Sequence, residues 1–200
     1  YEAVAGRSLG NLHAPHLHFG TIVLDSRPLM ARPKEFDVDD ALGHALEVFW
    51  QKGYDATSVC DLVDAMGIQR ASIYGTFGDK HSLYLQALTA YQAQAMAGLE
   101  QQLLGAERAI EALRSLVLGA AETAAGRQGR RGCFCVNANV EMAPHDDAVR
   151  EQLRHHGERM EQLLAQTLDR AKAQGDLAAK ADSKQLASFL FAAVIGLNVL

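Results

Sequence analysis

The chain has 200 residues and a mass of 21.7 kDa, which is enough for one large domain or two small ones. Hydrophobic residues make up 48% of it and charged residues 22%, a composition that excludes wholesale disorder, and no apolar run reaches the roughly 18 residues that a membrane span needs. The net charge of −5 excludes the basic character of a protein that coats nucleic acid, but it is compatible with a protein that reads DNA through a small patch.

Residues 1–29 differ in character from the rest of the chain. They carry scattered Gly, Pro and His without a sustained period, the chain does not begin with methionine, and Met30 opens a segment of another composition. We therefore expect 1–29 to be an extension upstream of the natural start, without fixed structure. His13, His16 and His18 could share a metal there, but histidines of an unstructured tail are the interpretation that we favour.

From Met30 onwards the hydrophobic pattern is helical and no convincing strand pattern appears, so the predicted fold class is all-α. Asp37 can cap a first helix, whose apolar residues recur at i, i+3, i+4 and i+7 up to Gly53. A long fourth helix follows Asp79. The remaining helices are predicted over about 107–125, 133–142, 146–174 and 183–200, and since the last of these stops without a cap, we expect residues to be missing beyond Leu200.

The second and third predicted helices are short and close together. The second begins after Thr57 or Ser58 and ends at Gly67, and only residues 68–70 separate it from the third, which ends at Gly78. Two short helices joined by so tight a turn are typical of a helix-turn-helix, whose second helix enters the DNA major groove.

The third helix carries the residue types that read DNA. Gln pairs with adenine, Arg with guanine, and Thr contacts the thymine methyl group, while small residues let a helix sit deep in the groove. We expect base contacts from one exposed face of this helix, formed by Gln69, Arg70, Ala71, Ser72, Gly75 and Thr76. Phosphate contacts are expected from Tyr74 and, at two helix starts, from Thr57 and Lys80.

Two observations leave a different interpretation open. Short helix pairs with a Gly turn also occur in helical proteins that never contact DNA. Between Met30 and Ala90, five Lys or Arg residues stand against nine Asp or Glu residues, so the local charge does not favour DNA. A helical scaffold that binds only other proteins, or a thiol-dependent enzyme, are the alternatives. No Ser-His-Asp pattern, Gly-rich phosphate loop or paired carboxylate site supports an enzyme, and we expect neither catalysis nor a cofactor.

Four segments resemble the tetracycline-repressor (TetR/AcrR) family of bacterial regulators. They share a helix that ends in Gly-Tyr, a Thr-Ser helix start, a Gly-hydrophobic turn, and Tyr, Phe and Lys in family order. The segments are MARPKEFD (30–37), ALEVFWQKGYDATSV (45–59), DLVDAMGIQRASIYGTFGDKHSLY (61–84) and RRGCFCVNANVEMAPH (130–145). His81-Ser82 departs from the Glu that many members have at this place.

The resemblance implies an all-helical homodimer in which residues 30–80 bind a double-stranded, palindromic DNA operator. Residues 81–200 would enclose a small-molecule effector and form the dimer through the last two long helices. The resemblance also assigns the phosphate and base contacts named above, and adds Arg32 and Lys34 as an arm along the DNA. Repression relieved by the effector is the commoner mode in the family, and the long fourth helix would transmit the signal.

The sequence also suggests residues for the effector pocket and a possible role for two of the cysteines. Candidate pocket residues are large apolar side chains, each with ordinary core as its alternative: Tyr84, Tyr91, Met96, Phe134, Met142 and Phe189. Free thiols fit a cytoplasmic protein. Cys133 and Cys135 follow Arg130 and Arg131, whose charge could lower a thiol pKa and make a redox or electrophile sensor. Buried structural thiols are the alternative, and Cys60 is expected in the core.

A metal site is a weaker possibility for the same cysteines. Cys133, Cys135 and His145 would supply three ligands, but a fourth is missing. We therefore expect no metal.

Overall fold

The computed structural model describes residues 36–126 and 131–199, and in these ranges the chain forms eight helices without a strand. The predicted all-α class is thus confirmed. The helices are α1 (Val38–Lys52), α2 (Val59–Met66), α3 (Arg70–Phe77), α4 (Lys80–Gly105), α5 (Ala109–Ala125), α6 (Phe134–Glu141), α7 (Asp147–Ala173) and α8 (Ser183–Leu197). The predicted extension 1–29 and the predicted arm residues Arg32 and Lys34 lie outside the described residues.

Polar side chains start most of these helices, as the sequence predicts. Asp37 Oδ1 accepts hydrogen bonds from the backbone N–H groups of Asp39 and Asp40 at 2.8 and 3.0 Å. At the start of α2, Ser58 and Asp61 form a reciprocal capping box: the Asp61 N–H donates to Ser58 Oγ at 3.1 Å and the Ser58 N–H donates to Asp61 Oδ2 at 2.8 Å. The boundaries of α2 and α3 therefore depend on local hydrogen bonds as well as on packing.

The first hydrophobic core joins the helix-turn-helix to α6. Phe49 of α1, Ile73 and Phe77 of α3, Tyr84 of α4 and Phe134 of α6 are all at most 3% exposed. The Tyr84 ring meets the Phe49 and Phe134 rings edge to face, with centroids 5.1 and 5.5 Å apart. This core therefore continues beyond residue 80, where the sequence places a domain boundary.

A second core holds the C-terminal helices together. It contains Met96 and Leu103 of α4, Leu113 of α5 and Leu164 and Leu168 of α7, each at most 5% exposed. On α5 the buried residues are Ala109, Ala112 and Leu113, whereas Ile110, Val117 and Ala120 are only partly covered. The long helices α4 and α7 each contribute to both cores, α4 with Tyr84 and Leu103 and α7 with Val149 and Leu164.

The capping box gives a first prediction. Ser58→Ala removes the acceptor for the Asp61 N–H, and we expect it to lower the free energy of unfolding by about 1 kcal/mol. Urea unfolding followed by circular dichroism would measure the change. Ser115→Ala, at an exposed position within α5, is the matched control and should be neutral or slightly stabilising. Equal stabilities for the two variants would contradict the prediction.

Candidate nucleic-acid interface and adjoining pocket

Helix α3 turns its polar face outwards. Ile73 and Phe77 are buried, at 1% and 3% exposed, and anchor the helix on the first core. The six predicted base-reading residues all lie at the surface, where Gln69, Arg70, Ala71 and Gly75 are exposed and Ser72 and Thr76 partly so. The structure thus brings the whole predicted set together on one short helix, without a bulky side chain among them.

The first turn of α3 contacts α2. Arg70 Nη2 lies 3.6 Å from the Cys60 thiol sulfur. Cys60 is exposed, so its predicted place in the core is wrong. The reason is the helical spacing: α2 is only eight residues long and buries Leu62 and Met66, and Cys60 lies on another face.

Of the three predicted phosphate contacts, Tyr74 and Lys80 are placed where a phosphate could reach them. Tyr74 is 45% exposed on α3, where its hydroxyl can reach outwards. The Lys80 ammonium group lies 4.3 Å from the centre of the Tyr54 ring, a cation–π contact that holds the charge beside α3. Both positions suit a phosphate.

The predicted phosphate contact from Thr57 is wrong. Its side chain is 1% exposed and its hydroxyl donates a hydrogen bond to the Gly53 carbonyl at 2.6 Å, so it does not face a phosphate. The start of α2 is also occupied by the Asp61 carboxylate, which caps Ser58 and pairs with Lys52 Nζ at 2.6 Å. A carboxylate at this helix start takes the place that an anion would need.

A pocket of about 510 Å³ lies in the C-terminal part of the chain, between α6, α7 and α8. Its apolar wall includes Leu153 and Met160 of α7 and Phe191 and Val194 of α8, and both Cys133 and Cys135 open into it. On its charged rim, Arg154 pairs with Glu151 at 2.6 Å and also with Glu158. Because these charges largely neutralise one another, the pocket suits a small apolar molecule.

None of the six predicted pocket residues lines this cavity. Tyr84, Met96, Phe134 and Met142 are core side chains, at most 8% exposed, and Phe189 is 69% exposed on the outer side of α8. Large apolar residues at helical spacing fill cores first, which is the alternative that the sequence left open.

Tyr91 is the sixth predicted pocket residue, and it lies behind the pocket. Its hydroxyl contacts the Cys133 sulfur at 3.5 Å. Sequence reasoning missed Leu153 and Met160 as pocket residues, although they lie seven residues apart on the inward stripe of α7.

The two thiols are held unequally. Cys133 is the extended N-cap residue of α6, which brings its sulfur beside that of Cys135 despite the i, i+2 spacing. Hydrogen bonds from the Cys135 thiol and the Tyr91 hydroxyl outweigh burial and lower the pKa of the Cys133 thiol below its usual range. The same hydrogen bond and burial raise the pKa of Cys135. Cys133 is therefore the thiolate of the pair.

The predicted cause of this activation is wrong in part. The Arg131 guanidinium does not contact the thiols; it pairs with Glu47 at 2.8 Å and lies 3.9 Å from the centre of the Trp50 ring. Arg130 lies outside the described residues.

Across 36–126 and 131–199, no three His, Cys, Asp or Glu side chains are grouped to hold a metal ion. None of the helices described is both long and apolar enough to cross a membrane.

The short α2–α3 pair, with its buried anchors and polar outer face, defines a helix-turn-helix of DNA-binding regulators. Residues 41–87 match the bacterial regulatory proteins of the tetR family, and residues 109–200 match the tetracyclin repressor-like C-terminal domain. The chain belongs to the TetR family and is a DNA-binding transcriptional regulator.

Individual relatives agree with this assignment. The chain is 32% identical over 169 residues to the HTH-type transcriptional repressor ComR of Escherichia coli K12, covering 84% of this chain and 80% of ComR. It is also 32% identical over 148 residues to the HTH-type regulator YezE of Bacillus subtilis 168, covering 74% and 76%. A cysteine variant of the TetR family regulator CifR, solved with a 26-base-pair double-strand operator, superposes with a TM-score of 0.73 at 35% identity, covering 84% of this chain and 88% of that one.

The unequal thiols give a second prediction. In a Cys60→Ser background, iodoacetamide should alkylate Cys133 far faster than Cys135 near neutral pH, with a midpoint below the usual pKa of a cysteine thiol. Tyr91→Phe removes one of the hydrogen bonds to the thiolate and should move the midpoint upwards. Mass spectrometry of labelled peptides across a pH series measures both. Preferential labelling of Cys135, or an unchanged midpoint in Tyr91→Phe, would count against this assignment.

Proposed function

We propose that this chain represses transcription as a homodimer, by placing α3 of each subunit in the major groove of a palindromic operator. The observation that carries the proposal is the outer face of α3, where Gln69 and Arg70 are exposed beside small residues and Tyr74 is exposed on the same helix. Arg32 and Lys34 would extend the contact as an arm. A regulator of this kind acts on bacterial DNA in the cytoplasm, and neither catalysis nor a cofactor is part of the proposal.

The dimer contact that we propose is formed by α7 and α8. On α8, Phe189 is 69% exposed, and Ala192, one helical turn further on, is also exposed. The two residues form a short apolar stripe on α8 that is not part of the pocket lining. A second copy would bury the stripe, as the last two long helices do in the family.

The effector is, in this proposal, a small apolar molecule in the α6–α8 pocket. A ligand changes the DNA affinity only if it binds one arrangement of the dimer more tightly than the other. In the DNA-binding arrangement the two α3 helices must lie about 34 Å apart, one turn of the duplex. Because α4 contributes to both cores, it can transmit a change at the pocket into that spacing.

Substitutions on α3 and α4 test the DNA-binding surface. A DNA site is first selected from a random library with the unaltered protein. Arg70→Ala should then cost about 1–3 kcal/mol on that site and relax its sequence preference, since a base contact is lost. Lys80→Ala should weaken binding to all sequences alike and reduce the salt dependence, since a phosphate contact is lost. Fluorescence anisotropy at several salt concentrations measures both effects.

Arg114→Ala, an exposed arginine on α5, removes the same charge away from α3 and is the control. Loss of affinity in Arg114→Ala equal to that in Arg70→Ala would contradict the assignment of α3. Failure of the unaltered protein to select any sequence would overturn the DNA-binding proposal as a whole.

A second candidate function is thiol sensing at Cys133, favoured by the lowered pKa of a sulfur that opens into the pocket. The thiolate would attack a peroxide, break the O–O bond and become a sulfenic acid while the peroxide is reduced to water or an alcohol. The Cys135 thiol would then displace water from that sulfur and close a disulfide. An alkylating electrophile would instead leave a carbon adduct on Cys133.

Exposure of the protein–DNA complex to hydrogen peroxide tests this second candidate. We expect the complex to dissociate and to re-form after dithiothreitol treatment. The response should be lost in Cys133→Ser and retained in Cys60→Ser, whose thiol is exposed next to Arg70. An equal response in Cys133→Ser and the unaltered protein would exclude Cys133 as the sensor.

A further inference from the structure

Helix α6 contacts the DNA-reading part of the chain near both of its ends. Just before α6, the Gly132 carbonyl accepts a hydrogen bond from Trp50 Nε1 of α1 at 3.2 Å, and Arg131 pairs with Glu47 of α1. At the other end, Glu141 reaches the loop between α1 and α2. The short helix that begins at the thiols is therefore connected directly to α1 and to the loop that precedes the helix-turn-helix, in addition to the connection through α4.

The Glu141 contact is bidentate. Its Oε2 accepts a hydrogen bond from the Tyr54 N–H and its Oε1 accepts one from the Asp55 N–H, both at 3.0 Å. Hydrogen bonds from neutral amides to a carboxylate are stronger than those between neutral groups. One side chain of α6 thus satisfies two consecutive donors of the loop.

Gly53 makes this contact possible. Its φ of +81° favours glycine, and a Cβ at this position would lie 2.7 and 2.8 Å from the two Glu141 carboxylate oxygens. Any side chain at 53 would push the carboxylate away from the amides. The geometry of the loop is therefore specific for this carboxylate.

Hydrogen bonds within the α1–α2 loop connect Tyr54 to the start of α2. The Thr57 N–H donates to the Tyr54 carbonyl at 3.2 Å, and the Thr57 hydroxyl donates to the Gly53 carbonyl at 2.6 Å. Ser58 follows immediately as the N-cap of α2. A displacement of Tyr54 is thus transferred through Thr57 to the start of the helix-turn-helix.

The N-terminal end of α6 lines the pocket. Cys133 is its N-cap residue and Cys135 lies in its first turn, and both open into the cavity. Eight helical residues span about 12 Å. The thiols and Glu141 therefore lie at opposite ends of one short helix.

We propose that Glu141 is a positioning residue that holds the α1–α2 loop, and with it α2 and α3, in the DNA-reading position according to the state of the pocket. The proposal rests on the proposed function only for the identity of the output, DNA binding. The hydrogen bonds between Glu141 and the loop exist without DNA, so the coupling can be measured separately.

Amide hydrogen exchange tests the contact itself. In the unaltered protein, the Tyr54 and Asp55 amides should be protected. Glu141→Ala removes both acceptors and should accelerate their exchange at least tenfold. Glu141→Gln keeps one acceptor oxygen but presents an NH₂ group to the other amide, and should give an intermediate rate. Glu122→Ala, at an exposed position on α5, is the matched control and should leave both amides protected.

A second measurement separates coupling from a merely structural role. N-ethylmaleimide bound to Cys133 in a Cys60→Ser background serves as the pocket probe, with the labelled site checked by mass spectrometry. We expect labelling to accelerate exchange at Tyr54 and Asp55 in a chain with Glu141, and to have no further effect in Glu141→Ala. Circular dichroism and melting temperature would verify that the variants are folded.

The proposal is overturned if Glu141→Ala leaves the exchange of both amides unchanged, or if labelling leaves them protected in the chain with Glu141. These results do not depend on an operator. If the chain selected no DNA sequence, the proposed function would fail while the exchange result still decided the coupling. If DNA binding held but Glu141→Ala bound the selected site with unaltered affinity, the role of Glu141 in positioning α3 would be excluded.

Discussion

The packing of Tyr84 between Phe49 and Phe134 is the contact on which the rest of this structure depends. The Tyr84 side chain is fully buried, and its ring meets one ring from α1 and one from α6. A helix-turn-helix of two eight-residue helices has little apolar surface of its own to bury. Its orientation is therefore fixed by its packing on α1 and α4, and α6 contributes Phe134 to the same core.

Helix α6 both lines the pocket and contacts the loop before α2. The wall of the pocket carries the activated Cys133 thiol, while the opposite end of α6 contacts the loop before α2. Non-covalent effector binding and covalent modification of Cys133 would therefore act on the same helix, α6. This arrangement explains how two different chemical signals could lead to the same change in DNA affinity.

Local patterns predicted the helices well because caps and apolar spacing act over a few residues. Asp37, Ser58 and Asp79 start helices where expected, and α3 presents the expected polar face. Side chains whose surroundings come from distant parts of the chain were harder to predict. Four of the six predicted pocket residues fill cores, and the Cys133 thiol is contacted by Tyr91, 42 residues away. No periodicity in a single sequence reports such neighbours.

The contact between Gly53 and Glu141 has a consequence for the variation of this chain among its relatives. The space beside residue 53 is filled by the carboxylate of residue 141, so neither position is independent of the other. A relative that carries a larger residue at 53 must either lose the carboxylate at 141 or re-route the loop before α2. The two positions, 88 apart in the sequence, should therefore change together, and an aligned set of relatives would show them as a coevolving pair.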